Sequence, residues 1–565
     1  MTEGDSRTWQ RANAASEHNV GESIWSRDST KKNTEQFAIE TATQSRKKMF
    51  ASLQRALSMQ SRNAYHTGSK TMWSFREFRG NSTPVKSNSC VRLKGLEDIP
   101  EASGYRNVYL LYVKGYKDRI HEMQHLNRQS LGPIWRESLG SGSNVHIASG
   151  ELIKQVLRQE GHQPVRADME LWKKYRRIHG LAEGPSTADG ENWCHLRSIL
   201  NPGLLLPSQV VKYERELHPV ISDLLERINW LRFLSPNQNM VNNINKELQN
   251  FTMEGIFAAL FSQRLGCLSK KTPQDTQQFI DSIHTMMRSF IWLSILPTWT
   301  RPLLPFWKSF VGAWDIIFAF VQKHIEKKIK EVEQIVASGE PVPNGYVTRL
   351  LTSGKLSRHE IYSSITEIVL GGVDTMANTL TWSLQLLSEH PAVQTAVANE
   401  VENASPGKGI PGVQNVTCMP LLRAVVKETL RLYPVVPVNS RFALEDMVVG
   451  GYLIPKGNLI TLCTFVASRD PEEFPEPTSF KPERWLRTGP RLHHPYASLP
   501  FGYGVRACIG RRLAELEVHL TLARLMKQFI LEPDYNEKPP NGKMHLILLP
   551  DRPINLRFMD RKPCQ

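Results

Sequence analysis

The 565-residue sequence predicts a mainly α fold with a small β portion, built as one large domain. Long stretches repeat apolar side chains at helical spacing, and two shorter ones alternate apolar and polar residues as half-buried strands do. No linker-like composition interrupts residues 95–558.

Taken in chain order, the first change is one of composition. Residues 1–45 carry seven acidic and five basic side chains, whereas residues 49–94 carry eight Lys/Arg and a single acid, Glu77. Arg-rich, Ser-rich and acid-poor is the composition of a mitochondrial transit peptide; a basic disordered tail is the alternative. Because transit peptides sit at the extreme N-terminus, residues 1–48 are expected to be a non-native or disordered extension, with Met49 as the working start. The main domain is then 95–565. No apolar run at the N-terminus approaches the roughly 20 residues that span a bilayer.

The stretch "PIWRESLGSGSNVHIAS" alternates about a Gly/Ser turn and reads as a hairpin, so its glycines are turn residues and not a phosphate cradle. Helical periods follow in "QVVKYERELHPVISDLLERINWLRFL", "WDIIFAFVQKHIEKKIKEVEQIVAS" and "RHEIYSSITEIVLGGVDTMANTLTWSLQLLSEH". Between the first two lies "FIWLSILPTWTRPLLPFWK", too broken by proline to cross a membrane. Its tryptophans beside Arg301 and Lys308 suit a monotopic anchor in the interface; a buried core loop is the alternative. Near the C-terminus "MVVGGYLIPKGNLITLCTFVA" returns to β-type alternation.

The formal charge of +15 favours acidic partners or an anionic membrane surface. The basic residues are scattered and no finger, homeodomain or RNA-binding signature occurs, which argues against nucleic acid. Seven cysteines, odd in number and without a CxxC pair, argue against a disulfide framework or a structural zinc site. His493 and His494 lack metal-ligand companions, and His195 reads as a helix-surface residue.

Cys508 therefore needs its own explanation. In "FGYGVRACIG" it stands among Gly502, Gly504 and Gly510, which allow turns with positive φ and a close backbone approach to a flat ligand, while N–H groups and Arg506 can stabilise a sulfur anion. No partner His suggests a cysteine hydrolase. A thiolate with no second protein ligand points to haem iron held from one side. Phe501, Gly504, Arg506, Cys508 and Gly510 match the pattern FxxGxRxCxG, and through them the chain resembles the cytochrome P450 family.

That resemblance implies a triangular helical prism with haem b between two central helices and Cys508 as axial iron ligand. "KETLRLYP" and "FKPERW" then supply Glu428, Arg431 and Arg484 as a buried structural triad; the first two also share a helix face by spacing. In "GGVDT", Gly371 and Gly372 would open a groove for dioxygen, with Asp374 and Thr375 relaying protons; a helix-packing notch is the other account of the glycines. "WCHLR" gives Trp193 and Arg197 as partners of the haem propionates, joined by Arg441 from "NSR" and by Arg506.

A transit-like start matches the family's mitochondrial branch, at the matrix face of the inner membrane, and the chain resembles its sterol 27-hydroxylase group. Electrons would come from an adrenodoxin-like 2Fe–2S ferredoxin served by an NADPH-dependent ferredoxin reductase. It would dock on Arg423, Lys427, Arg511 and Arg512. Val373, Val435, Val436 and Val438 would suit a sterol over the haem, and the expected reaction is hydroxylation of a sterol side chain. Met376 departs from the smaller hydroxyl residue expected after Thr375. A vitamin D hydroxylase or retinoid oxidase is the runner-up; a haem-thiolate protein that binds gas or isomerises peroxides is the alternative of another class, against which the Asp374/Thr375 pair argues.

Overall fold

Helical periodicity becomes a set of helices wrapped round a buried one. Those that build the site are α1 (Gly150–Gln159), α2 (Glu170–His179), α3 (Gly190–Leu205), α4 (Glu214–Leu234), α5 (Ile244–Phe261), α6 (Gln274–Ile295), α7 (Pro305–Ser338), α8 (Arg358–Glu389), α9 (Pro420–Leu432) and α10 (Arg511–Gln528). The computed structural model describes residues 93–561 apart from 140–141, 168, 238, 296–300 and 488–492. The expected extension 1–48 and all but the last two residues of the transit-like segment lie outside the described residues.

Helix α8 is the axis. It begins at a capping box in which the Ser357 hydroxyl accepts from the Glu360 N–H while the Glu360 carboxylate accepts from the Ser357 N–H. Buried side chains occur all round it between Ile361 and Ser388, the mark of a helix inside a core. Along the stretch 375–383 its hydroxyl residues are compatible with the helix interior because they bond back to their own helix: Thr375 to the Gly371 carbonyl at 2.7 Å, Thr379 to Thr375 at 2.8 Å, Ser383 to Thr379 at 2.8 Å. Helices α5, α7, α9 and α10 pack against it, and α6 pairs with α7.

The run from Gln209 breaks into short turns before α4 starts at Glu214. The β portion is a five-stranded sheet with small satellites. Strands β1 (Glu101–Ala102), β2 (Ile134–Leu139), β3 (Gly142–Ile147), β4 (Asn439–Phe442), β5 (Met447–Val449), β6 (Tyr452–Ile454) and β7 (Leu459–Leu462) include the expected hairpin, β2 antiparallel to β3 with Ile134 opposite Ile147. The sheet order is β1-β2-β3-β7-β4, and β5 pairs with β6. The β reading of residues 447–467 runs too far: Thr464–Ala467 is a helical turn. A four-residue apolar run carries no period that separates strand from helix. The main hydrophobic core surrounds α8, and a second cluster lies under the sheet.

Candidate active site

Residues four apart on a helix share a face, and on α8 the row Glu367, Gly371, Thr375, Thr379 lines a cavity. The cavity holds about 1680 Å³ of empty space, part of it open to solvent. Its other walls come from α3, α5, α9, α10 and the loop 500–510. Both accounts of the two glycines hold, one for each. A Cβ on Gly371 would meet nothing within 4 Å, so this residue keeps the cavity open; one on Gly372 would stand 2.1 Å from Ile256 Cδ1, so this residue is a packing notch for α5. Met376, the departure from the expected smaller hydroxyl residue, is buried and lines the cavity.

Asp374 is not in that row. Its buried carboxylate Oδ1 accepts from Gln249 Nε2 of α5 at 2.8 Å and lies 3.6 Å from His284 Nε2 of α6, while Oδ2 has no partner. Asp374 thus stands behind the cavity wall, next in sequence to Thr375, which lines it. Val373 is likewise turned into the core, and Val438 lies off the cavity wall; Val435 and Val436 line it.

The loop facing α8 is shaped by glycine at two points. Gly502 and Gly504 have φ of 71° and 70°, and a Cβ on Gly504 would stand 2.8 Å from Glu160 Oε1. Gly510, expected to share this role, has φ of −86° and simply caps α10. The Cys508 N–H donates to the Phe501 carbonyl at 2.9 Å, folding the loop so that Cys508 opens onto the cavity. Its exposed surface is cavity surface, within surrounding protein. Burial pushes the thiol up, outweighing the Gly510 N–H and the charges of Arg166, Arg197 and Arg511. Burial therefore works against the free thiolate, which bonding to a metal cation would favour.

Haem supplies such a cation, and the cationic wall fits its two carboxylates. Trp193 Nε1, Arg197 Nε and Arg166 Nε are buried, line the cavity and have no partner. Arg166 is driven down to about 10 by burial and by its neighbours Arg441, Arg506 and Arg197; Arg506 is also lowered to about 10, chiefly by burial. Orphaned donors and crowded guanidiniums together call for an anion. Arg506 stacks on Trp193 with 4.0 Å to the ring centroid and already donates to Asp189 at 2.7 Å. Arg441 corrects the sequence expectation: it is paired with Glu160 and off the cavity wall. Arg166 stands there instead, and "QPVRAD" carries no motif that could have identified it.

Glu428, Arg431 and Arg484 come together as expected. Arg431 grips Glu428 with Nε and Nη2 at 2.8 and 2.7 Å, and Arg484 Nε adds 3.2 Å. Trp485 Nε1 completes the group at 2.8 Å, and Arg431 Nη1 fixes the carbonyls of Ser468 and Pro477. Arg423 and Lys427 are exposed on α9, as are Arg511 and Arg512 at the start of α10. His519 of α10 is lowered to about 3 by burial and then by Arg423 and Lys427, which places these two cations of α9 near that stretch of α10. Arg511 is paired with Glu515 at 3.0 Å.

Glu367 was missed, although its spacing from Gly371 and Thr375 was readable. It accepts from Arg176 of α2, from the Ser186 N–H and from Thr187 Oγ1, tying the loop after α2 to α8. Cys463, the other buried thiol near the sheet, lies 3.7 Å from His146 Nδ1 and does not line the cavity.

Residues 100–558 match the family model Cytochrome P450. The mitochondrial sterol 26-hydroxylase of Homo sapiens is 43% identical, over 83% of this chain and 90% of that relative. The mitochondrial 25-hydroxyvitamin D-1 alpha hydroxylase of Homo sapiens is 42% identical, over 83% and 93%. Among solved structures, the haem domain of cytochrome P450DA superposes with a TM-score of 0.66 at 22% identity, over 82% of this chain and 97% of that one, a likeness of fold.

Proposed function

The chain belongs to the cytochrome P450 family and is a haem-thiolate monooxygenase; from that premise we propose that it hydroxylates the side chain of a sterol in mitochondria, with Cys508 as its iron ligand. The observation that carries the reading is the single thiol opening onto a cavity between a glycine-notched helix and a cationic wall in which Arg166 Nε, Arg197 Nε and Trp193 Nε1 are left without acceptors. When bound, the haem supplies the activation of dioxygen. The protein supplies the rest. Arg166, Arg197 and Trp193 hold the propionates, while Glu428, Arg431 and Arg484 brace the loops on the thiolate side. Ile256, Leu260, Ile368, Met376, Val435 and Val436 give apolar cavity wall, where hydrocarbon burial yields about 25 cal/mol per Å². Thr375 offers a hydroxyl at the cavity, and Asp374 places a buried carboxyl group one helical step behind it.

An acidic ferredoxin would dock on the face carrying Arg423, Lys427, Arg511 and Arg512, delivering electrons from NADPH through its reductase. Contact with the matrix face of the inner membrane is supported by Trp292 stacked on Phe306 with their centroids 5.7 Å apart, Lys117 and Lys174 over Trp292 and Trp307, and Leu303 78% exposed. Among the described residues no helix is long and apolar enough to cross a membrane. Residues 296–300 of the expected anchor lie outside the described residues.

The near-equal identity to the vitamin D relative supports a second reading, a secosteroid hydroxylase. A spin-state titration against cholesterol, bile-acid precursors, vitamin D and retinol, followed by turnover with ferredoxin and NADPH, separates them. Hydroxylated sterol is expected; a normal haem-thiolate CO spectrum without oxygenated sterol product would sink the reading.

A further inference from the structure

Behind the cationic wall stands a carboxylate that the proposed reaction does not use. Glu160 caps the C-terminal end of α1, where the helix dipole disfavours an acid, and its side chain is 6% exposed. A buried acid in such a place needs cations, and Glu160 has them. Its Oε2 accepts from Arg441 Nε of β4, and Arg166 and Arg506 act on the same carboxyl group. The other oxygen, Oε1, reaches the cysteine loop itself: a Cβ on Gly504 would stand 2.8 Å away, so glycine there lets loop and acid approach.

The charges of the wall give this acid a purpose. Arg166, Arg197, Arg441 and Arg506 crowd one another. Asp189 answers Arg506 from the edge of the group, 33% exposed and shared with Lys173 at 2.7 Å, whereas Glu160 answers from within. Arg441 Nη1 donates to the Ser440 carbonyl at 2.9 Å, so the guanidinium is held between its own strand and Glu160 and stays off the cavity. We propose that Glu160 is a potential-setting residue of this enzyme: its carboxylate, fixed by Arg441, offsets part of the positive field of the propionate wall and so keeps the haem iron at a lower reduction potential than the arginines alone would give.

This rests on the proposed seating of haem against Arg166, Arg197 and Trp193, and adds what sets the field around it. Reduction brings one electron to the iron. A fixed negative charge nearby disfavours that electron and a positive one favours it, most strongly where burial limits screening by water. Burial raises the Glu160 carboxyl, and Arg441, Arg166 and Arg506 oppose that rise. The guanidinium keeps its charge, and the carboxylate oxygen facing it accepts.

The test uses the haem-loaded full chain without substrate or ferredoxin, its ferric–ferrous midpoint read by spectroelectrochemical titration at neutral pH and matched ferric spin state. Glu160→Gln keeps the shape and an oxygen for Arg441, and should raise the midpoint. Arg441→Gln leaves the acid without its cation and should lower it; if Glu160→Gln fails to take up haem, this variant carries the test with the opposite sign. The double variant Glu160→Gln/Arg441→Gln should return close to wild type, and Glu160→Asp, which keeps the charge, should stay near it even if it melts earlier. A pair that only packs α1 against β4 predicts lower melting temperatures without midpoints moving in opposite directions. An unchanged midpoint in Glu160→Gln, with a normal haem-thiolate CO spectrum, overturns the proposal. The premise fails by another readout: Arg166→Gln and Arg197→Gln should each lose haem to apomyoglobin faster than wild type, and equal rates would sink the seating of the propionates and the proposal with it.

Discussion

Arg176 on α2 and Glu367 on α8 form an ion pair with N to O at 2.5 Å, each side chain 1% exposed. Gly184 makes room for it, since a Cβ there would lie 2.4 Å from the Glu367 carboxyl carbon. Removing one partner of such a pair strands the other charge in the core, which costs about 3–5 kcal/mol. Arg176→Ala is therefore expected to lower the melting temperature of the holoenzyme strongly. Glu367→Gln, which strands the Arg176 charge and turns an amide NH2 toward a donor, should be strongly destabilising as well. Equal melting of Arg176→Ala and wild type would show that the pair does not secure the loop.

The two adjacent glycines of α8 should part company on mutation. Gly371→Ala gains helix propensity of about 1 kcal/mol and meets no atom, so the protein should be more stable, with a methyl group projecting into the cavity. Gly372→Ala drives a methyl into Ile256 Cδ1, and overpacking of this kind costs about 1–3 kcal/mol. Adding Ile256→Val, which removes Cδ1, should recover most of the loss. Urea unfolding of the single and double variants measures both effects, and absence of coupling between Gly372 and Ile256 would refute the contact.

Much of this arrangement could be read in the chain because it rests on spacing. The hairpin, most of the long helices, the Glu428/Arg431 pair three residues apart and Gly502 and Gly504 before Cys508 are local patterns, and the structure keeps them. What went astray was direction. Thr375 and its neighbour Met376 line the cavity, while Val373 and Asp374 on the other side of Thr375 turn inward, where Gln249 of α5 takes up the Asp374 carboxylate; which neighbour faces the cavity depends on that distant packing. Arg441 was assigned to a propionate because nothing local reveals its distant partner Glu160. Arg166 and the Arg176–Glu367 tie depend on segments far apart in sequence, which no local pattern brings together.

Glu517 on α10 predicts a pH dependence. It is fully buried, both its oxygens lack partners, and Gly255 of α5 gives it room, a Cβ there standing 2.7 Å from Oε1. Burial holds its carboxyl well above the ordinary 4.5. Between the ordinary value and the raised one the folded protein keeps a proton that the unfolded chain has released, so stability falls as pH rises through that window. Glu517→Gln carries no such proton. Its melting temperature relative to wild type should climb from pH 5 to pH 8, and a constant difference would count against a neutral buried acid.

The cationic face of α9 and α10 makes the last prediction, one of rate and not of fold. Arg423, Lys427 and Arg512 are exposed, while Arg511 is partly neutralised by Glu515 at 3.0 Å. Steering by such a face raises association rates by about 10- to 1000-fold at low ionic strength and fades once the Debye length shrinks to about 10 Å at 0.1 M salt. Arg423→Glu and Arg512→Glu should each raise the KM for a 2Fe–2S ferredoxin by about tenfold in dilute buffer, the low end of that range. Arg511→Glu leaves two adjacent acids beside Glu515 and should raise the KM too, and adding Glu515→Lys, which restores the local net charge, should recover most of that loss. All of these differences should shrink with added salt, while substrate binding, read from the iron spin state, stays unchanged. Reversal of Arg423 and Arg512 without effect on ferredoxin KM at any salt concentration would move the electron entry point to another face.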